Sequence, residues 1–409
     1  MYINYNERGK KQMKKIILMM SFLLVACMLL AKPMNFSQPV IATTFPVNVN
    51  LSGSGTVTTY DGIQALLESA KKTIDIEPFY INNKPGTAFD TQIIQTIIQK
   101  ANEGVKVRIL VDKNMEKYYQ ESLTPLMNNK NIEVRQSTYY DSGNGVLHSK
   151  VVLVDGKSFY IGSICFDWVA FTYNHELGII YTDKAVGSQI QTAFNFDWDN
   201  YNKPFKAVTT KQKGLTNAPY QLVMTPANSQ GLQDAQTALF QLINGAKTSI
   251  DIEVMNITSM EPYQNNAVWP GFQEALIAAA KRGVKVRLLV SNWEFDSPTM
   301  MADGKAFLTA MQQASPNVSI KITNFPPTDP FVNYAYVDHA KDIIVDGKTV
   351  WFGNANLTWN YFNACRNFNL VVKNNPRVTQ VVQNLYNTVW NSQYSVNYTG
   401  QEPALINAK

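Results

Sequence analysis

The chain has three histidines, and two of them head the same arrangement. His148, Lys150 and Asp155 stand in the spacing H-x-K-x4-D, followed by Gly162-Ser163. His339, Lys341 and Asp346 repeat that spacing, followed by Gly353-Asn354 and Asn356. Two imidazoles and two ammonium groups converging on one point suit a phosphodiester. One imidazole attacks phosphorus and forms a phosphohistidine. The other protonates the leaving oxygen and then activates water. The lysines place positive charge where the phosphoryl oxygens gain negative charge. This chemistry calls for no metal and no cofactor, and no carboxylate or cysteine cluster at metal-ligand spacing is visible. A lone histidine on a strand is more often a packed residue than a catalyst. Two full copies, in register within a longer repeat, argue for a shared site.

Each copy reads as a β-hairpin. Side chains two apart share a strand face, so His148 and Lys150 point the same way, as do His339 and Lys341. Asp155-Gly156 and Asp346-Gly347 are turn signals. Ser158–Gly162 and Val350–Gly353 are the return strands. Asp155 and Asp346 therefore fall at the far end of each hairpin from the histidine. Both are expected to be structural, capping their own turns. Ser163 falls at the end of its return strand, back near His148.

The surrounding elements repeat too. Ala70–Glu77 (AKKTIDIE) matches Ala246–Glu253 (AKTSIDIE), and Val105–Val111 (VKVRILV) matches Val284–Val290 (VKVRLLV). Between them lie helical patterns closed by Gly104 and Gly283 in the C-cap position. Strand, helix and strand in alternation predict an α/β fold of two pseudo-symmetric halves. Each half is expected to hold a mostly parallel sheet flanked by helices. The divisions expected are a leader over 32–51, a first half over 52–204, a linker over 205–219, a second half over 220–398 and a tail over 399–409.

Composition bounds the rest. At 409 residues, with 45% hydrophobic and 16% charged residues, the chain is a normal globular mixture, which excludes broad disorder. The net charge of +5 suits a polyanionic substrate and equally a plain solvated surface. Lys14-Lys15 followed by the apolar Ile16–Ala31 reads as a secretory signal over 1–31. Leu24-Val25-Ala26-Cys27 also fits a lipoprotein box with lipidation at Cys27, and an uncleaved anchor is a third outcome. Export to the periplasm or beyond is the expectation in each case. Beyond Cys27 only Cys165 and Cys365 remain, too few for a disulfide framework.

These motifs resemble those of the phospholipase D superfamily, whose signature is two H-x-K-x4-D-x6-G-S segments. The chain looks most like the branch holding animal endolysosomal phospholipase D-like exonucleases and poxvirus phospholipase-like proteins. The resemblance runs from about Tyr60 to Tyr394. Beyond the signature it is carried by Leu147–Asp167, His175-Glu176-Leu177-Gly178, Trp269-Pro270, Lys281–Val290, Ser297-Pro298-Thr299-Met300 and Asn354–Phe362. It implies that His148 and His339 are the catalytic histidines, with His148 as nucleophile and His339 as acid and base, although the order of the two roles stays open. It implies that Lys150 and Lys341 bind phosphate, and that Ser163, Asn354 and Asn356 lie beside it. Glu176, thirteen residues after Ser163, matches an acid that orients a histidine. The chain departs from the G-S-x-N pattern at Cys165 in the first copy and at Asn354 in the second. Asn367 stands where the second half would repeat Glu176, and His175 has no evident counterpart there.

The function implied is metal-independent phosphodiester hydrolysis on a phospholipid or a single-stranded nucleic acid, with a membrane surface as a further partner. A 5′-end exonuclease and a non-catalytic phosphate-binding or membrane-associated protein are the alternatives. Phe159, Tyr160, Phe166, Trp168, Trp351, Trp359, Tyr361 and Phe362 lie near the motifs. They suit either base stacking or core packing, and the alternating ones favour core. No basic cluster marks a nucleic-acid track.

Overall fold

The computed structural model describes residues 34–206, 212–226, 231–261, 267–295 and 297–402. The signal segment and Cys27 lie outside them, as do most of the tail and residues 207–211 of the linker. Among the described residues no helix is long and apolar enough to cross a membrane.

The first sheet is built from β1 (Val40–Thr44), β2 (Thr56–Thr58), β3 (Thr73–Pro78), β4 (Lys106–Asp112), β5 (Ile132–Ser137), β6 (Lys150–Val154), β7 (Ser158–Gly162) and β8 (Glu176–Thr182). Their order across the sheet is β2-β1-β8-β7-β6-β3-β4-β5. Helices α1 (Thr59–Glu68), α2 (Gln95–Asn102) and α3 (Lys184–Asn200) belong to this half. Thr58 caps α1 by accepting from the Asp61 N–H, and Asp183 caps α3 through the N–H groups of Ala185 and Val186.

The second sheet repeats the plan. It holds β9 (Tyr220–Thr225), β10 (Gln233–Asp234), β11 (Ser249–Val254), β12 (Lys285–Ser291), β13 (Val318–Thr323), β14 (Asp342–Val345), β15 (Thr349–Phe352), β16 (Asn367–Lys373) and β17 (Ser395–Asn397). Their order is β10-β9-β16-β15-β14-β11-β12-β13-β17. Four longer helices accompany them: α4 (Ala235–Gly245), α5 (Phe272–Lys281), α6 (Pro298–Ala314) and α7 (Pro376–Trp390). The repeat extends to single contacts. Arg108 forks onto Asp75 at 2.7 and 2.8 Å, and Arg287 forks onto Asp251 at 2.7 Å through both nitrogens.

The halves share one core. Val151, Phe159, Ile161 and Ile179 of the first sheet pack in one buried cluster with Leu222, Met224, Phe352, Phe368 and Leu370 of the second. Each such side chain taken out of water contributes roughly 1.5–3 kcal/mol. The sheet faces carrying the hairpins are thereby pressed together, so the two H-x-K copies meet.

Two expectations need correction. The sheets are mixed rather than mostly parallel. In the first sheet β1·β2, β3·β4 and β4·β5 are parallel, while β1·β8, β8·β7, β7·β6 and β6·β3 are antiparallel. The reason is the motif hairpin itself. Its tight turn reverses the chain inside the sheet, and the strands beyond it inherit the reversal. Val40–Thr44, within the expected leader, forms β1, paired along its whole length with Glu176–Ile180 of β8. Second, Asp155 and Asp346 do not cap their own turns. Asp155 accepts from the N–H groups of Lys71, Lys72 and Thr73, which lead into β3. Asp346 accepts likewise from Lys247, Thr248 and Ser249 ahead of β11. Each carboxylate ties the hairpin tip to the next strand.

Candidate active site

The residues ahead of each H-x-K strand pair with the opposite half. The His148 N–H donates to Arg366 O at 3.0 Å, and the Arg366 N–H donates to Val146 O at 2.9 Å. In the mirrored place the His339 N–H donates to His175 O at 2.8 Å, and the His175 N–H donates to Val337 O at 2.9 Å. Arg366 immediately precedes β16, and His175 immediately precedes β8. The first side chain of each of those strands is thus delivered to the other half's histidine. His175 therefore does have a counterpart: Arg366 occupies the same place in the backbone pairing.

Asn367, the first residue of β16, places Oδ1 2.8 Å from His148 Nδ1. Its Nδ2 donates to Thr225 Oγ1 and Tyr361 O at 2.9 Å, and to Cys365 O at 3.2 Å. With the amide nitrogen committed to three acceptors, Oδ1 is the atom facing the imidazole, so His148 Nδ1 carries the hydrogen. The ring is gripped by Phe79 and Tyr361, with centroids at 4.9 and 4.6 Å. His148 Nε2 is left for chemistry, with Lys150 Nζ 3.1 Å away.

Glu176, the first residue of β8, lies 2.9 Å from His339 Nδ1. The Ser163 hydroxyl also donates to Glu176, and it accepts from the Leu177 N–H at 3.0 Å. His339 Nε2 is the ring nitrogen left for the cleft. Lys341 Nζ donates to His339 O at 2.8 Å, as Lys150 Nζ does to His148 O at 3.0 Å.

Burial sets the electrostatics. It pushes Glu176 up to about 8, against the pull of Lys341 and the Ser163 hydroxyl. Burial holds both imidazoles well below their usual range, helped by the facing lysines. It lowers the Lys150 ammonium and pulls Lys341 down to about 7 although Glu176 opposes this. The site is poor in counter-charge, and an incoming anion supplies it.

His148, His339, Glu176, Cys165 and Asn356 line one cleft of about 970 Å³. The other predicted residues fall out differently. The Ser163 hydroxyl is spent on Glu176 and Leu177 and faces His339's partner, not His148. Asn354 is fully buried, donating to Gly162 O and accepting from the Phe368 N–H at 2.8 Å. Both brace β8 and β16 through these bonds. Of the motif amides Asn356 alone reaches the cleft. Asp155 and Asp346 are not among the residues lining it. Cys165 and Cys365 form no disulfide.

Of the aromatic residues near the motifs, Phe159, Tyr160, Phe166, Trp351 and Phe362 are buried in the core, while Trp168 and Tyr361 line the cleft. Sequence reasoning missed Asn367 as the partner of His148. It also missed the rim of Tyr118, Tyr119, Trp293, Phe331 and Tyr334. Asn367 was legible as the repeat equivalent of Glu176. The rim carried no such signal.

A family profile described as "Cardiolipin synthase, PLD-like domain" matches residues 63–198 and 239–390. The chain belongs to the phospholipase D-like family. It is 26% identical over 388 residues to the virion nicking-joining enzyme of Vaccinia virus (strain Western Reserve), spanning 89% of this chain and 90% of that one. It is 27% identical over 406 residues to phospholipase D Y of Dictyostelium discoideum, spanning 87% and 90%. It is 25% identical over 371 residues to the 5′-3′ exonuclease PLD3 of Xenopus laevis, spanning 81% and 75%. Among solved structures, the phosphatidylserine synthase of Haemophilus influenzae superposes with a TM-score of 0.63 at 13% identity, covering 90% and 89% of the two chains. The last likeness speaks for the fold alone. The phospholipase D-like family and its poxvirus and exonuclease branch are those the two H-x-K motifs resemble.

Proposed function

We propose that this chain is a phosphodiesterase that works through a phosphohistidine, with His148 as nucleophile and His339 as acid and base. The observation carrying the division of labour is the pair of unequal partners: an amide at His148 and a carboxyl group at His339. A carboxylate stabilises an imidazolium and an amide does not. Glu176 holds a proton beside His339 until the negative charge of the substrate draws it onto the ring, and His148 is the ring that stays neutral and nucleophilic. The phosphate enters between Lys150 and Lys341. His148 Nε2 forms the N–P bond as the P–O bond to the leaving group breaks, and that oxygen takes the proton from His339. Water then attacks phosphorus, gives its proton to His339 and releases His148, leaving a phosphomonoester.

The substrate class we favour is the end of a single-stranded nucleic acid. Tyr118 and Tyr334, exposed to 67% and 72%, stand on the cleft rim with Trp168 and Trp293. Flat rings around a phosphate site suit stacking on unpaired bases. The names of the nicking-joining and exonuclease relatives support this, and the phospholipase D names keep a phospholipid as the second reading. Export of the chain rests on Lys14-Lys15 and the apolar run after them. Protease protection in fractionated cells tests it, and a cytoplasmic chain would count against it.

A p-nitrophenyl ester of thymidine monophosphate tests the mechanism, because its leaving group needs no proton. With EDTA present, His339→Ala releases one p-nitrophenol per chain and then stalls as the covalent adduct. His148→Ala releases none. A burst from His148→Ala and none from His339→Ala would exchange the two roles. No turnover by the wild-type chain on this ester, single-stranded DNA or phosphatidylcholine would overturn the enzymatic reading.

A further inference from the structure

Next to the catalytic pair in sequence, but not lining the cleft, lies a second cluster of ionisable side chains. His175, Glu253 and Asp338 are buried together, with ligand-type atoms all within 4.8 Å of one another. Asp342 is buried beside them, opposite Glu253 in the β11·β14 ladder and so on the same face. Two carboxyl groups thus meet one imidazole, with a third beside Glu253.

The His175 ring is held rigidly. Its Nδ1 lies 2.9 Å from Thr44 O, and the ring stacks on Phe45 at 4.2 Å with an interplanar angle of 2°. A carbonyl can only accept, so Nδ1 carries a hydrogen and Nε2 is left pointing at the carboxylates. Nε2 stands 3.3 Å from Glu253 Oε1 yet makes no hydrogen bond. A ring lone pair facing a carboxylate oxygen is repulsive unless positive charge lies between them. Both oxygens of Asp342 also lack hydrogen-bond partners, while the Glu253 and Asp338 carboxyl groups stand close enough to share a proton. Asp338 Oδ2 is braced by the Thr323 hydroxyl at 2.7 Å.

The other half shows what this place requires. There Arg366, the counterpart of His175, donates to buried Asp197 at 2.9 Å, while Glu77, the counterpart of Glu253, accepts from the Ser149 hydroxyl at 2.7 Å. One fixed cation and one hydroxyl reach two carboxyl groups there, although Glu77 Oε2 and Asp197 Oδ2 keep no hydrogen-bond partner. In the second half the arginine is replaced by an imidazole, which supplies at most one positive charge against three carboxyl groups. Protons shared among the acids are one way to settle the balance. They leave the oxygens of Asp342 without a partner.

We infer that His175, Glu253 and Asp338, with Asp342 beside them, hold a divalent transition-metal ion of the zinc or manganese class. Bonds of ~2.0–2.5 Å let ligand atoms on opposite sides of one ion stand roughly 5 Å apart. One imidazole nitrogen among carboxylate oxygens is a donor set these ions accept. The surroundings match those of metal ligands: a backbone carbonyl on the far ring nitrogen and a hydroxyl on a ligating carboxylate. The ion's place is structural. It ties β11 and β14 of the second half to His175 of the first, and so holds the His175–His339 backbone pairing that brings Glu176 to His339. No step of hydrolysis passes through it.

The test uses the full chain, stripped with a chelator and titrated calorimetrically with ZnCl2 and with MnCl2, together with thermal melts. Wild-type protein takes up one equivalent and its Tm rises. His175→Gln and Asp338→Asn weaken that uptake by more than the roughly 10–100-fold that loss of an outer-shell partner costs. Absence of uptake with an unchanged Tm in both ions overturns the site and leaves shared protons as the explanation. Uptake equally tight in both variants also overturns it, because the ion then sits elsewhere. If the variants fail to fold, X-ray absorption of the zinc-loaded wild-type chain decides. One imidazole nitrogen among oxygens supports the site, and two imidazoles or none overturns it. None of these readouts depends on hydrolytic activity.

Discussion

The carboxyl group of Glu176 lies 2.9 Å from His339 Nδ1, although 163 residues separate the two and they belong to different halves. Its first-half position makes it a neighbour of the other half's chemistry. Glu176→Gln keeps the shape and removes the ionisable group that shares a proton with His339. The expected outcome is a fall in kcat of about 10²-fold or more, with KM little changed, because general acid–base catalysis contributes roughly 10²–10⁴-fold. Steady-state kinetics on an alkyl phosphodiester, set against the p-nitrophenyl ester, read it. The loss should be smaller on the aryl ester.

Arg366 supplies the charge that buried Asp197 needs, at 2.9 Å, and its backbone holds the His148 N–H. Arg366→Leu leaves an uncompensated buried carboxylate. The expected loss of stability is about 3–5 kcal/mol. Adding Asp197→Leu should recover part of it, and chemical denaturation of the single and double variants measures both.

At the far end of the second hairpin, Asp346 receives three backbone N–H groups ahead of β11. Burial alone would raise its pKa, but the amides of Thr248, Ser249 and Lys247 outweigh burial and hold it below the usual carboxylate range. Asp346→Ala should destabilise the chain by about 1–3 kcal/mol. Because the residue is not at the cleft, KM measured below the melting range should stay at the wild-type value.

Burial pushes Glu294 up to about 8, against the Ile257 N–H and the Asn256 amide that donate to it. A raised carboxyl is stabilising while protonated, and that stability is lost as pH rises from about 4.5 through about 8. Glu294→Gln keeps the acceptor oxygen and cannot ionise. Its melting temperature should match wild type near pH 5 and exceed it increasingly toward pH 8. A constant difference across that range would count against the assignment.

Tyr334 stands on the cleft rim, 72% exposed and with φ of +60°. If bases stack there, Tyr334→Ala should raise KM for single-stranded DNA about tenfold with kcat unchanged, since one stacked base is worth ~1–3 kcal/mol. Cleavage of phosphatidylcholine, with no base to stack, should be affected less.

By itself the sequence determined the hairpins, the doubled H-x-K motif, the α/β class and the family. Those features are local. Alternation along a strand, an Asp-Gly turn and a repeated tetrad are written in neighbouring residues, and duplication writes them twice. The mixed sheets were implicit in the same hairpins, since a tight turn inside a sheet must reverse the strands beyond it. The partners of the histidines were decided only by the tertiary structure. His148 meets Asn367 across 219 residues, and the Ser163 hydroxyl donates to Glu176. Both depend on two sheets packing face to face and on short backbone pairings that cross between them. No local spacing encodes a crossing of that kind. It follows from which faces are apolar on both halves at once, and it makes one site from two half-motifs.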